Sequence, residues 1–560
     1  MLIHEFMTLA ASIRFLLVAL FVASPPPGAN RSAGASRVQD ELRALASHGA
    51  LAELHWPDYS DYRIQVQKFY EPTGYALAWV QDQVPSPQAQ AMIKVFSGAA
   101  GKGLDPTDYD SLLWHARIEK LCSAAPTDTA RFDLAMTVSV MRYISDLHLG
   151  RVNPRWFHFG FDVEHNRYDL SSFIRQKLVS STDIESVLAT VEPPFDGYRR
   201  TERGLQRYLQ LVRHDNGVQI SLPKRPVVVG DQYPGIQQLQ SRLCLLGDLQ
   251  PPACGMKADI YTGTIAEGVR HFQDRHGLET NGILDQATIR ELNVSLEHRV
   301  LQLQLTLERW RWLPHEFSQP PIVVNIPEFR LRAFDQNENV VLAMNVVVGR
   351  AYRRQTPVFA KEMTHVIFRP YWNVPRSIER TEVVPWIERD RSYLLKKNYE
   401  VVTHSGEVVM GGPVSDEMLQ RLRDGSLEVR QRPGQRNALG LVKLMFPNEY
   451  NVYLHDTPSP ELFSRPRRDF SHGCIRVEKP VELTTWVLRN NPGWDEARVK
   501  ATMESGTDNY QVNLSKPIPV LILYGTAVVD NNDEVHFFDD IYGHDAELSQ
   551  TLAKGRPYPE

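Results

Sequence analysis

The apolar residues of this chain change period near residue 320. Up to about residue 320 they recur every three or four positions. Beyond Pro320 they alternate, as in "PIVVNIPEFRLRAFD" and "NVVLAMNVVVG". The first period buries one stripe of a helix and the second buries one face of a strand. A chain of 560 residues is also too long for a single core, at roughly 100–200 residues per domain. The expectation is a multidomain α+β protein in which helical units precede a mainly-β unit.

Residues 37–225 read as a helical scaffold domain. Its longest helix is "FDLAMTVSVMRYISDLHLGRV" (132–152), with Gly150 placed as the stop. Trp79, Trp114 and Trp156 read as core or groove residues, and no catalytic constellation is evident there. Residues 226–293 form a smaller unit of three short helices. Ile236, Leu239, Leu243 and Leu246 share one face, closed by Gly247; Ile265, Val269 and Phe272 share another, followed by Gly277; Asn281-Gly282 makes a turn and Asp285 caps the third helix. "FQDRHGLETNGILDQATIREL" resembles a peptidoglycan-binding module, with Asn281 where that family more often has Asp. A further helix at 295–314, bearing Trp310 and Trp312, is expected to return to the scaffold and complete it through 294–319.

The β unit spans 320–512. Between about 375 and 432 its alternation breaks into helix-like and hairpin-like stretches, which reads as an insertion folded over a sheet. Strands resume at "GLVKLMF" and "NVYLHDTP", and residues 513–560 read as a C-terminal strand pair and tail.

Residues 1–36 differ from the rest. Arg14, the apolar run Phe15 to Ala23 and the prolines at 25–27 fit an export signal followed by a tether, with Ala33-Gly34-Ala35 as a cleavage candidate. An uncleaved signal anchor is the alternative; export is expected either way. Net charge is −5 with both signs mixed along the chain. That argues against a nucleic-acid binder, which concentrates basic residues on one face.

Four cysteines are present. Cys244 and Cys254 are close enough in sequence to form a disulfide or to remain two buried thiols, and Cys122 has no evident partner. Cys474 sits in "SHGCIRV", nineteen residues after His455 at the end of "NVYLH". A cysteine nucleophile needs a base, a group that orients the base, and donors for an oxyanion. His455 supplies the first. The backbone carbonyl of Asp456 is a candidate for the second, and the amides of Gly473 and Cys474 for the third. His472 reads as a positioning residue, and Arg476 as either a carboxylate ligand or a brace for the Cys474 loop. Tyr371 and Trp372 are candidates for a donor groove or for sheet core. Cys474, His455 and His472 lack the paired spacings of a zinc site, so no metal and no cofactor is expected.

His455, Thr457 and Pro458 followed by "SHGCIR" resemble the signature of the YkuD-type L,D-transpeptidases, and "VVVGRAYRRQTPVF" resembles the family's V-V-G…T-P segment. The order of signal, helical scaffold, wall-binding module and catalytic unit with an insertion is similar to the large Gram-negative members. The resemblance implies a peptidoglycan substrate and attack by Cys474 on the bond between diaminopimelate and D-Ala of a tetrapeptide stem. It implies a thioester on Cys474, transfer to a second stem as a 3→3 cross-link, and acylation of the same thiol by carbapenems. Ser471, His472 and Arg476 are candidates for contact with the substrate, the insertion at 375–432 is expected as a lid from its break in texture, and wall-synthesis proteins are candidate partners. The similarity to Gram-negative members implies a periplasmic location, on the inner membrane if the signal anchor is uncleaved. Asp456 stands where many members have Gly and adds a charge near the base. Water or a lipoprotein lysine as acceptor, a non-catalytic wall-binding scaffold, and a cysteine endopeptidase are the competing readings. The last usually places its Cys before its His.

Overall fold

The computed structural model describes residues 29–121, 125–166, 168–255, 257–351, 354–409, 413–556 and 558. The apolar run at 15–23, the prolines at 25–27 and Cys122 lie outside them. Helix begins at Ala29 (Ala29–His48), so the spacer expected as a tether is already helical where the description starts. No helix among the described residues is long and apolar enough to cross a membrane.

The scaffold is built around helix Pro126–Leu149, buried on nearly every side and closed by Gly150 at φ 82°. Its Asp133 accepts hydrogen bonds from the Tyr70 hydroxyl at 2.7 Å and the Trp79 amide at 2.7 Å. Burial pushes this carboxyl up to about 6, and those donors hold it back. Trp79 and Trp114 are core residues; Trp156 is 53% exposed. Helix Leu296–Trp310 packs along helix Asp196–His214. Just past it, Trp312 stacks on Phe157 with ring centres 6.2 Å apart. Past the small three-helix unit, the chain lies against helix Asp196–His214 and Phe157.

That unit contains helices Ile236–Leu246, Gly263–Arg275 and Gln286–Leu292, with the expected apolar faces buried. Asp285 caps the third through the Thr288 amide at 2.8 Å. Cys244 and Cys254 form a disulfide, their Cα atoms 5.7 Å apart.

The β unit is one sheet that closes on itself. Its strands are β1 (Ile322–Asn325), β2 (Arg330–Phe334), β3 (Val340–Gly349), β4 (Phe359–Phe368), β8 (Val442–Met445), β9 (Leu454–His455), β10 (Asp469–Ser471), β11 (Ile475–Val477) and β12 (Tyr510–Leu523); β5 (Trp372–Asn373), β6 (Tyr399–Val402) and β7 (Glu428–Gln431) belong to the insertion. The order is β10-β3-β11-β9-β8-β4-β12-β1-β2, and β2 pairs again with β3. β12 is a central strand, paired with β4 and β1. The expected boundary at 512/513 falls inside it and is corrected: its inward residues Ile518, Val520 and Ile522 are fully part of this core. The last strands, Ala527–Val529 and Val535–Phe537, form a separate hairpin against the scaffold helices.

The insertion has a core of its own, including Ile387, Leu394, Val401, Leu422 and Val429. It starts at Trp372 rather than 375, because β5 is already paired to β7 within it.

Candidate active site

Strand register assembles the site. Lys443 on β8 lies opposite His455 on β9, and His455 lies opposite Arg476 on β11. Directly paired residues project from the same face of a sheet, as do residues two apart. Lys443, Tyr453, His455 and Arg476 therefore share one face, and Cys474 enters it two residues before Arg476.

His455 is buried, and its Nδ1 lies 2.5 Å from the Asp456 carbonyl oxygen. That acceptor requires the Nδ1–H tautomer. Burial and the Arg476 charge push the imidazole down to about 3, so it is neutral at pH 7. The Asp456 carboxylate, expected to add a charge beside this base, is turned away. It accepts from the Leu441 amide at 2.8 Å and the Thr457 amide at 2.7 Å. Gly440 makes room for it: a Cβ there would sit 2.3 Å from the Asp456 carboxyl carbon.

The Cys474 turn is clamped from two sides. Ser471 Oγ donates to the Cys474 carbonyl at 2.6 Å and accepts the Gly473 amide at 3.0 Å. Thr356 Oγ1 donates to the Gly473 carbonyl at 2.8 Å and accepts the Gly349 amide at 2.9 Å. Gly473 has φ 121°, a conformation that disfavours side chains. Two expectations change here. The Gly473 amide, expected at an oxyanion, is given to Ser471 because the left-handed turn directs it back. Ser471, expected beside substrate, is buried with its hydroxyl spent on the turn.

The Cys474 thiol is half-buried, with the Asn451 carbonyl oxygen 3.7 Å away as its acceptor. Burial pushes it up; hydrogen bonds to Tyr453 and the charges of Lys443 and Arg476 pull it back. Among the described residues the buried Nε of Arg476 has no hydrogen-bond partner, and burial and the Arg350 charge pull the guanidinium pKa down from its usual range. His472 donates from Nε2 to Glu382 of the insertion at 2.7 Å, and Arg354 reaches the same carboxylate at 2.8 Å. Trp372 and Tyr371 belong to the insertion. Trp372 pairs with Gln431, and the Tyr371 ring lies 4.2 Å beneath the Arg430 guanidinium. β5 carries Trp372 into the insertion's small sheet, and Tyr371 directly precedes that strand.

Sequence reasoning missed Lys443, Tyr453, Thr356 and Glu382. Lys443 left one trace, a lone charge in the alternating strand "GLVKLMF"; Glu382 left none, because its partners are 28 and 90 residues away.

Comparison with known proteins now bears on this geometry. Residues 320–520 match the model of the L,D-transpeptidase catalytic domain, YkuD; residues 232–292 match "Putative peptidoglycan binding domain"; and residues 64–205 match "Scaffold domain". A Haemophilus influenzae protein named "Putative L,D-transpeptidase" is 32% identical over 262 residues, 47% of this chain and 50% of that protein. The chain thus spans about half the length of the curated relative it matches. A crystal structure of an L,D-transpeptidase from Stackebrandtia nassauensis covers 53% of this chain and 97% of its own, at 12% identity and a TM-score of 0.21.

Proposed function

From a chain that carries a YkuD L,D-transpeptidase catalytic domain and a peptidoglycan-binding domain, we infer a cell-wall acyltransferase that joins two stem peptides through a thioester on Cys474. The observation that carries this reading is the strand register that sets neutral His455, with its Nδ1 held by the Asp456 carbonyl, on the sheet face where Cys474 emerges.

A neutral imidazole can take the Cys474 proton as sulfur attacks the carbonyl carbon between diaminopimelate and D-Ala. The carbon–nitrogen bond breaks, the proton passes to the departing D-Ala amine, and a thioester remains. The side-chain amine of a second diaminopimelate then attacks the thioester. It forms the 3→3 amide, and its proton returns to the Cys474 sulfur. The Cys474 amide is the candidate oxyanion donor, since the Gly473 amide is engaged. His455 and Cys474 share no hydrogen bond, their partners being the Asp456 and Asn451 carbonyls; such catalytic bonds commonly shorten only with substrate bound.

The insertion fits the role of a lid. Glu382 joins it to His472 of the cysteine motif and to Arg354 of the V-V-G…T-P segment. A lid that limits water favours an amine acceptor over hydrolysis. The three-helix unit supplies affinity for the polymer, and work outside the cytoplasm follows from that substrate.

Incubation of the full chain with tetrapeptide-stem muropeptides, read by mass spectrometry, tests the reading. Cross-linked dimers that have lost D-Ala at the bridge are expected. Tripeptide monomers alone would make water the acceptor, and no turnover with no carbapenem adduct on Cys474 would end the enzyme reading.

A further inference from the structure

Lys443 is an ammonium on a sheet face that offers it no carboxylate. Among the described residues it forms no ion pair. Its Nζ instead lies 3.8 Å from the centre of the Tyr453 ring. Burial pulls it down, and the one negative group that opposes this is the Cys474 thiolate. A cation taken out of water without a partner is costly, and such a group persists where an anion meets it. The Tyr453 ring that carries the cation stands 5.7 Å from the His455 ring, edge to face.

We propose that Lys443 is the positioning residue that keeps Cys474 reactive: stacked on Tyr453 and set by register beside His455, its charge favours the thiolate. This rests on the reading of Cys474 as the nucleophile. The need follows from His455. An imidazole held neutral can accept a proton, yet it cannot stabilise a resting thiolate as an imidazolium would. Among the described residues, the remaining charged or titratable groups around the thiol and the ammonium are Tyr453 just before β9, His455 on β9, Arg476 on β11 and His365 on β4, with Arg350 and Glu461 acting on Arg476. Arg476 divides its field between Glu461 and the thiolate; Lys443 has the thiolate alone.

The test is the rate at which iodoacetamide alkylates Cys474 in the full chain between pH 6 and pH 10. It is followed on the Cys474 peptide by mass spectrometry, with folding checked by thermal unfolding. Wild type is compared with K443M, K443Q and K443R. In the neutral variants the alkylation profile should move up by about one pH unit, a tenfold slower reaction at pH 7.5; K443R should stay within about threefold of wild type. A folded neutral variant that matches wild type overturns the proposal, as does K443R reacting as slowly as K443M. Should neither neutral variant fold while K443R does, the role is structural and the proposal falls. If Lys443 instead meets a substrate carboxylate, the Michaelis constant rises with alkylation unchanged, which also overturns it. Alkylation needs no wall substrate. A chain that forms no cross-links yet shows the predicted shift would leave this inference standing and remove the transpeptidase reading, and the reverse result would separate them equally.

Discussion

The closed sheet and the insertion both approach Cys474, and they do so by different physics. On the sheet, Lys443, His455 and Arg476 are placed by consecutive strand pairings, and the Cys474 turn is held by the hydroxyls of Ser471 and Thr356. Such groups cannot move without breaking main-chain ladders or leaving buried polar atoms unpaired. The insertion has its own core and reaches the motif through one carboxylate, Glu382, which is 42% exposed. Ion pairs this open to water are worth about 0–1 kcal/mol. The sheet thus holds its groups through buried bonds, whereas the insertion meets the cysteine motif through a pair open to water.

That contrast orders the expected effects of substitution. Cys474→Ala should abolish the carbapenem adduct and lower cross-linking at least about a thousandfold, since Cys474 is the free thiol among the described residues. His455→Gln should leave the adduct site intact and slow acylation about 10²–10⁴-fold, read in single-turnover mass spectrometry. Thr356→Val removes both bonds that join Gly349 to Gly473. It should cost about 1–3 kcal/mol in urea unfolding and slow acylation as well. Both effects together distinguish a clamp from a mere core residue. Glu382→Gln should leave thermal unfolding unchanged and shift products from dimers to hydrolysed monomers by about two- to fivefold, in keeping with an exposed ion pair. A large stability loss there would mean that the insertion is welded to the sheet.

The smallest effect concerns acid. His455 is pushed down to about 3 and His315 and His544 to about 4, each mainly by burial. Their pKa values lie below those of the unfolded chain, so between about pH 6.5 and pH 3 the unfolded state binds more protons. Stability from these groups is present above that window and is lost as pH falls through it. Thermal midpoints should therefore decline from pH 7 to pH 4.5. The proton-accepting form of His455 should persist throughout, so acylation should keep no acid limb from this residue above about pH 4.

The residues of the chain by themselves determined the division into helical and β regions, because burial period is a local property. They also determined the three-helix unit, whose caps and faces lie within a few residues of one another, and they singled out Cys474 and His455 as candidates through two short motifs. Tertiary structure decided what depends on distant partners. It placed strand Tyr510–Leu523 in the middle of the sheet, turned the Asp456 carboxylate onto the Leu441 amide, and gave the Gly473 amide to Ser471. It also took Tyr371 and Trp372 into the insertion. Lys443 shows the reason most plainly. In sequence it is one charge in an apolar strand; only the register of β8 against β9 sets that charge on the face from which Cys474 emerges.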